Sequence, residues 1–121
     1  IGKGNVLILG YAYKENLGDT RETPVEHLSD ALIDLGIGIS IWDPIVKPGG
    51  IPERFERIVN LEDARPVDMI VLSTAHQTIL EIDWDWLKTI TGCSAIFDGR
   101  RSLNKEEMIG NGWKYSGAGA P

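Results

Sequence analysis

Four consecutive aliphatic residues, Val6-Leu-Ile-Leu9, stop at Gly10, and the next regular element starts only at Thr23. A short run without polar alternation marks a strand buried on both faces, the kind found in parallel sheets covered by helices. Thr23 suits an N-cap, Pro24 the first helical position, and Glu26, three residues past the cap, completes a capping box. Val25, Leu28, Leu32 and Leu35 then recur at three- and four-residue spacing and predict one amphipathic helix, its stripe on the sheet and its stop at Gly36. Strand, polar loop and helix in this order make the unit that binds ligands at the C-terminal ends of strands in open α/β sheets.

The unit repeats along the chain. Ile37 to Trp42 reads as a second strand closed by Asp43-Pro44, since proline cannot continue a central strand. A Pro- and Gly-rich loop runs from Ile45 to Pro52, Arg57 to Val59 suits a short edge strand, and Asn60 can cap a brief helix through Ala64. Met69 to Ser73 is the second buried strand, and Thr78 to Ile90 a broken helical segment with Asp83 as a restart cap. Ser94 to Phe97, Asn104 to Ile109 and Gly112 to Tyr115 complete the set as strand, helix and strand. The pattern predicts an α/β fold, a Rossmann-like three-layer sandwich with a mainly parallel sheet of five or six strands and right-handed crossovers. Strand order 3-2-1-4-5-6 is preferred over the flavodoxin-like order, with Asn5 to Leu9 and Met69 to Ser73 in the centre. At 121 residues and 42% hydrophobic, residues 1–121 form a single domain with a real core.

A net charge of −6 argues against nucleic-acid and anionic-membrane partners while leaving room for a local cationic pocket. No targeting segment or apolar run of membrane-spanning length is visible, so a soluble, cytoplasmic protein is expected. The one cysteine, Cys93, cannot build a disulfide framework and fits a small buried hydrophobe.

In such a sheet Tyr11 to Arg21, Asp43, Thr74 to His76 and Asp98 to Arg101 share one rim. The first of these segments crowds Tyr11, Tyr13, Lys14, Asp19 and Arg21 together without apolar periodicity, more than a passive connection needs. Lys14, Arg21 and Arg100, with Arg101 nearby, suit a diphosphate, because arginine clamps phosphate oxygens bidentately and lysine adds a point charge. A dinucleotide or a nucleotide sugar is the natural ligand. Tyr11-Ala-Tyr-Lys14 follows Gly10 where a self-contained nicotinamide site requires G-x-G-x-x-G, and no ligand cluster suggests a metal. His27 reads as a helix-surface residue, whereas His76 suits either a rim contact or a part in holding its loop. Trp84 and Trp86 fall away from the rim and suit packing of a helix or of an interdomain face.

Gly10-Tyr-Ala-Tyr-Lys14, Gly18-Asp-Thr-Arg21 and Thr23-Pro24, continued by Trp42-Asp-Pro44, Thr74-Ala-His76 and Phe97-Asp-Gly-Arg100, together resemble one family over nearly the whole chain. It is the UDP-glucose/GDP-mannose dehydrogenase family, and the resemblance is to its C-terminal, UDP-sugar-binding domain. The resemblance implies a fragment of a longer, homodimeric, NAD-dependent enzyme of polysaccharide biosynthesis. Such an enzyme oxidises a UDP-sugar to the UDP-uronic acid in two hydride transfers. It further implies that Tyr13, Lys14 and Arg100 bind the UDP-sugar and that Arg21 reaches the NAD pyrophosphate across a domain interface. Asp19 and Glu22 would then orient the loop. The nucleophilic cysteine and the main NAD fold of the family lie in a preceding domain, so this chain holds no catalytic residue and is expected to be inactive alone. The wording of the loop is nearer to the branch acting on UDP-N-acetylhexosamines such as UDP-N-acetylmannosamine. The competing expectation is a free-standing nucleotide-sensing or protein-interaction module of the same fold.

Overall fold

The computed structural model describes residues 4–14, 16–18, 20 and 23–118. Six strands, β1 (Asn5–Leu9), β2 (Gly38–Trp42), β3 (Glu56–Arg57), β4 (Met69–Leu72), β5 (Ala95–Asp98) and β6 (Lys114–Gly117), form one sheet in the order β3-β2-β1-β4-β5-β6. Every pairing is parallel, so β1 and β4 are the central pair and the preferred order is the observed one. Helices α1 (Pro24–Asp34), α2 (Gln77–Leu80), α3 (Trp84–Thr91) and α4 (Lys105–Gly110) supply crossovers.

Because side chains alternate along a strand, the buried runs feed two separate cores. Leu7 and Leu9 of β1, Ile70 and Leu72 of β4 and Ile96 of β5 point to one face, where Ile79, Leu87, Met108 and Trp113 meet them. Ile8 and Ile41 point to the other, against Val25 of α1 and Val46, Ile51 and Phe55 of the β2–β3 connection. Leu7, Ile8 and Leu9 are all fully buried, and each such side chain contributes about 1.5–3 kcal/mol of transfer free energy. Trp84 packs edge-on to Trp113 at 6.0 Å, inside the first core, while Trp86 remains partly exposed. Cys93 is buried, which pushes its thiol pKa up and leaves it a packing residue.

Several local expectations need correction. Thr23 caps α1 by accepting from the Val25 amide, but Glu26 does not close a capping box; its carboxylate lies 2.6 Å from Arg54, which also binds Asp30. On α1 the buried positions are Val25 and Ser29 rather than the whole Val25–Leu35 stripe. At 100° per residue Val25, Ser29 and Leu32 cluster about one direction, and Leu28 and Leu35 stand on its flank, 38% and 57% exposed. Asn60 makes no side-chain cap, and the segment after it is a 3-10 turn (Leu61–Asp63) rather than an α-helix. The edge strand is Glu56–Arg57, and Val59 lies outside it, 77% exposed.

Candidate functional site and family

The site begins with a close approach that only glycine allows. Gly10 has φ +95°, and a Cβ there would stand 2.5 Å from Thr74 Cβ and 2.7 Å from the Thr74 nitrogen. The Gly10 amide donates to Trp42 O, and Thr74 Oγ1 donates to Ala12 O, so the loops leaving β1 and β4 are tied at their roots.

Asp43, at the end of β2, binds these loops together. Its Oδ2 accepts from the amides of Tyr11 (2.7 Å) and Ala12 (3.0 Å) and from His76 Nε2 (2.9 Å). Its Oδ1 accepts from the amides of Ile45 (2.8 Å) and Val46 (3.1 Å). Burial by itself would push this carboxyl up, but His76 and the backbone amides outweigh it and hold the pKa well below the usual carboxylate range. His76 is fully buried, and its Nδ1 accepts the Asn16 amide at 2.7 Å. That bond leaves Nδ1 unprotonated, so the partners assign the proton to Nε2, facing Asp43. Of the two roles open to His76, the structure gives it the loop-holding one.

Asp98, buried at the end of β5, organises the opposite side. It accepts from the Arg100 and Leu103 amides and from the Tyr115 hydroxyl at 2.9 Å. Arg100 then extends across the rim: Nε donates to Ser73 O at 2.9 Å and Nη2 to Tyr13 O at 3.2 Å. Tyr13 and Arg100 thereby line one cleft of about 390 Å³ with Ser73, Val71, Phe97, Pro24 and Leu28. The Lys14 ammonium lies 5.9 Å from the centre of the Tyr13 ring. The cleft is open, with apolar walls on the sheet side and the Arg100 guanidinium at the strand ends, a combination that suits a flat base joined to phosphates.

Of the residues the sequence singles out, Tyr13 and Arg100 line the cleft and Lys14 stands beside Tyr13, while Arg21, Asp19 and Glu22 lie outside the described residues. Tyr11 departs from expectation: it is 2% exposed, packs against Phe55 and belongs to the core, where burial raises its pKa to about 12. The roles of Asp43 and His76 are not legible in the sequence beyond one local sign. Asp-Pro-Ile is an Asx-turn pattern, and Asp43 Oδ1 does bind the amide two residues on. The Val46 amide is equally local, but the three donors to Oδ2 come from segments more than thirty residues away. A nicotinamide cradle does not fit: α1 starts at Pro24, far along the chain from Gly10, whereas that cradle needs a tight glycine turn directly into the helix. Among the described residues no group of three or more His, Cys, Asp or Glu side chains could hold a metal ion, and no helix is long and apolar enough to cross a membrane.

An all-parallel sheet in this order, with a cleft that carries Arg100 at its strand C-termini, defines a doubly wound α/β domain of Rossmann type. Residues 7–105 match the model of the UDP binding domain of the UDP-glucose/GDP-mannose dehydrogenase family, and the chain belongs to that family. It is 30% identical over 115 residues to the UDP-N-acetyl-D-mannosamine dehydrogenase of Methanocaldococcus jannaschii, covering 92% of this chain and 26% of that protein. It is 28% identical over 121 residues to the UDP-glucose 6-dehydrogenase of Drosophila melanogaster, covering 85% of this chain and 25% of the other. Among solved structures, the NDP-N-acetyl-D-galactosaminuronic acid dehydrogenase of Methanosarcina mazei superposes with a TM-score of 0.84 at 31% identity, over 96% of this chain and 24% of that one. The chain thus spans about a quarter of the length of the relatives it matches.

Proposed function

We propose that this chain is the nucleotide-sugar-binding domain of a longer UDP-sugar dehydrogenase, and that its cleft holds the UDP part of the substrate. The observation that carries this is the convergence of Tyr13 and Arg100, from loops 87 residues apart, on one apolar-walled cleft with Lys14 beside them. Lys14 and Arg100 would answer the diphosphate charge, and the apolar wall would take the base. Arg21 is proposed to reach the pyrophosphate of NAD, held mainly by another domain. The overall reaction oxidises the sugar alcohol to the uronic acid. This chain's residues bind and orient the UDP end, and none of them serves as nucleophile, Cys93 being buried. The chain alone is therefore inactive, and the whole enzyme is proposed to be a cytoplasmic homodimer serving polysaccharide biosynthesis. An N-acetylated hexosamine is the proposed sugar, supported by the names of the Methanocaldococcus and Methanosarcina relatives, both at or above 30% identity.

Calorimetric titration of UDP into the chain tests the reading. Binding is expected to weaken with added salt, since the contacts are ionic. It should also weaken by about 10- to 150-fold in Lys14→Ala and in Arg100→Ala, as loss of a charge-assisted contact requires. Salt-independent binding, or binding that both substitutions leave unchanged, would overturn it.

A further inference from the structure

The segment that carries Tyr13 and Lys14 has little apolar packing of its own beyond Tyr11 and Ala12: Tyr13 is 43% and Leu17 54% exposed. Its shape is therefore set by hydrogen bonds to side chains of other loops. Its root is held by Asp43 and Thr74, Tyr13 O accepts from Arg100, and its far side is held at Asn16. Asn16 adopts φ +60°, a left-handed conformation that costs a non-glycine residue free energy and needs outside support. Both of the supports the structure shows come from the β4–α2 turn: the Asn16 amide donates to His76 Nδ1 at 2.7 Å, and Asn16 Oδ1 accepts from the Gln77 amide at 2.8 Å. His76 is in turn oriented by the bond from its Nε2 to Asp43 Oδ2, and Asp43 also holds the Tyr11 and Ala12 amides.

We propose that His76 is a positioning residue for nucleotide binding: through the chain Asp43, His76 and Asn16 it clamps both sides of the Tyr13–Lys14 segment and sets where those two side chains meet the ligand. The inference rests on the reading of the cleft given above and adds to it a residue that touches no ligand. Asp43 is shared between the segment's root and His76, so root and far side are held in one frame. Neither the Asp43 nor the His76 side chain has solvent contact, so the frame is fixed before a ligand arrives. Preorganisation of this kind lowers the ordering cost of binding without adding a contact.

The test separates the two bonds of the imidazole. His76→Asn keeps an acceptor near the Nδ1 position and removes the donor to Asp43, whereas His76→Gln keeps a donor near the Nε2 position and removes the acceptor for Asn16. Each variant is measured for melting temperature, for hydrogen exchange of the Asn16 amide and for UDP affinity. The expected result is that affinity follows the Asn16 bond: His76→Gln exchanges its Asn16 amide faster and binds UDP about tenfold more weakly, the size of one lost ordering hydrogen bond. His76→Asn stays closer to the parent in both readouts, whatever its melting temperature. Equal affinity losses that track melting temperature in both variants, or undiminished UDP binding by His76→Gln, would overturn the proposal. Should neither buried variant fold, Asn16→Gly loosens the same anchor from the exposed side, because it keeps the left-handed backbone and the amide that reaches His76 but removes the side-chain bond to Gln77 that holds residue 16 against His76. Faster exchange of the residue-16 amide is expected to go with weaker UDP binding at unchanged melting temperature, and faster exchange with unchanged binding would overturn the proposal. A parent chain that protects the Asn16 amide yet binds no UDP would instead refute the reading of the cleft.

Discussion

A carboxylate without solvent contact persists as an anion only where its charge is answered, and at Asp43 five N–H donors from three loops answer it. Asp43→Asn would turn an NH2 group toward at least two of these donors, and we expect a loss of about 3 kcal/mol or more in denaturant unfolding. Because the folded pKa of Asp43 is depressed, the stability this group contributes is complete above the ordinary carboxylate value and fades as pH falls below it. Urea midpoints measured from pH 6 down to pH 2 should accordingly fall less steeply for the variant than for the parent. The cations proposed to bind the ligands should instead affect function with little effect on melting. In a full-length enzyme Lys14→Ala should act chiefly on the KM for the UDP-sugar and Arg21→Ala chiefly on that for NAD, each by about 10- to 150-fold. Steady-state kinetics with each substrate varied in turn, beside melting curves, checks the partition; equal defects for both substrates together with lost stability would make the loop structural. Sequence reading singles out Tyr13, Lys14 and Arg100 because their chemistry is unusual for a loop. It misplaces Tyr11 and leaves His76 open, because burial and a partner 33 positions away leave no local trace.

Elements were legible where sequence pattern and local chemistry coincide. β1 and β4 are unbroken apolar runs, and Asp83 and Asn104 cap α3 and α4 through their side chains as short polar residues at helix starts do. The end of α1 follows the same logic: the Ile37 amide reaches Leu32 O and the Gly36 amide reaches Ile33 O, a Schellman closure that the left-handed Gly36 permits. What spacing cannot tell is which part of a broad apolar stripe faces the sheet. On α1 the centre is Val25 and Ser29, a small residue that lets the helix approach, and Leu28 is left to form a wall of the cleft. Ser29 is fully buried, and its hydroxyl has no hydrogen-bond partner among the described residues. Ser29→Ala removes that unanswered group and raises helix propensity, so a stabilisation of about 1 kcal/mol is expected from chemical denaturation. Destabilisation would mean that the hydroxyl is satisfied in solution.

For the whole molecule, the two cores explain why the sheet is covered by helices on one face and leaves a cleft on the other at its strand C-termini. Helices α2 to α4 cover the face of β4 and β5 that carries Ile70 and Ile96, while on the opposite face Val71 and Phe97 form the floor of the cleft. Two of the three tyrosines stay protonated beyond their ordinary range: burial lifts Tyr11 to about 12, and burial with the hydrogen bond to Asp98 lifts Tyr115 to about 12. Between about pH 10 and pH 12 the folded chain therefore holds protons that the unfolded chain has lost, and stability must fall as pH rises through that window. Phenolate absorbance followed with circular dichroism should show these two groups ionising late and together with unfolding.

The cleft between the β1, β4 and β5 loops is proposed to take the UDP end of a nucleotide sugar. The most direct measurement of this is an amide-resolved NMR titration of the isotope-labelled chain with UDP. Saturable shifts are expected to concentrate at Tyr13, Lys14, Ser73, Phe97, Gly99 and Arg100, with the opposite end of the sheet around Asn5, Gly38 and Val67 unmoved. Shifts centred on that opposite end, or scattered without saturation, would contradict it.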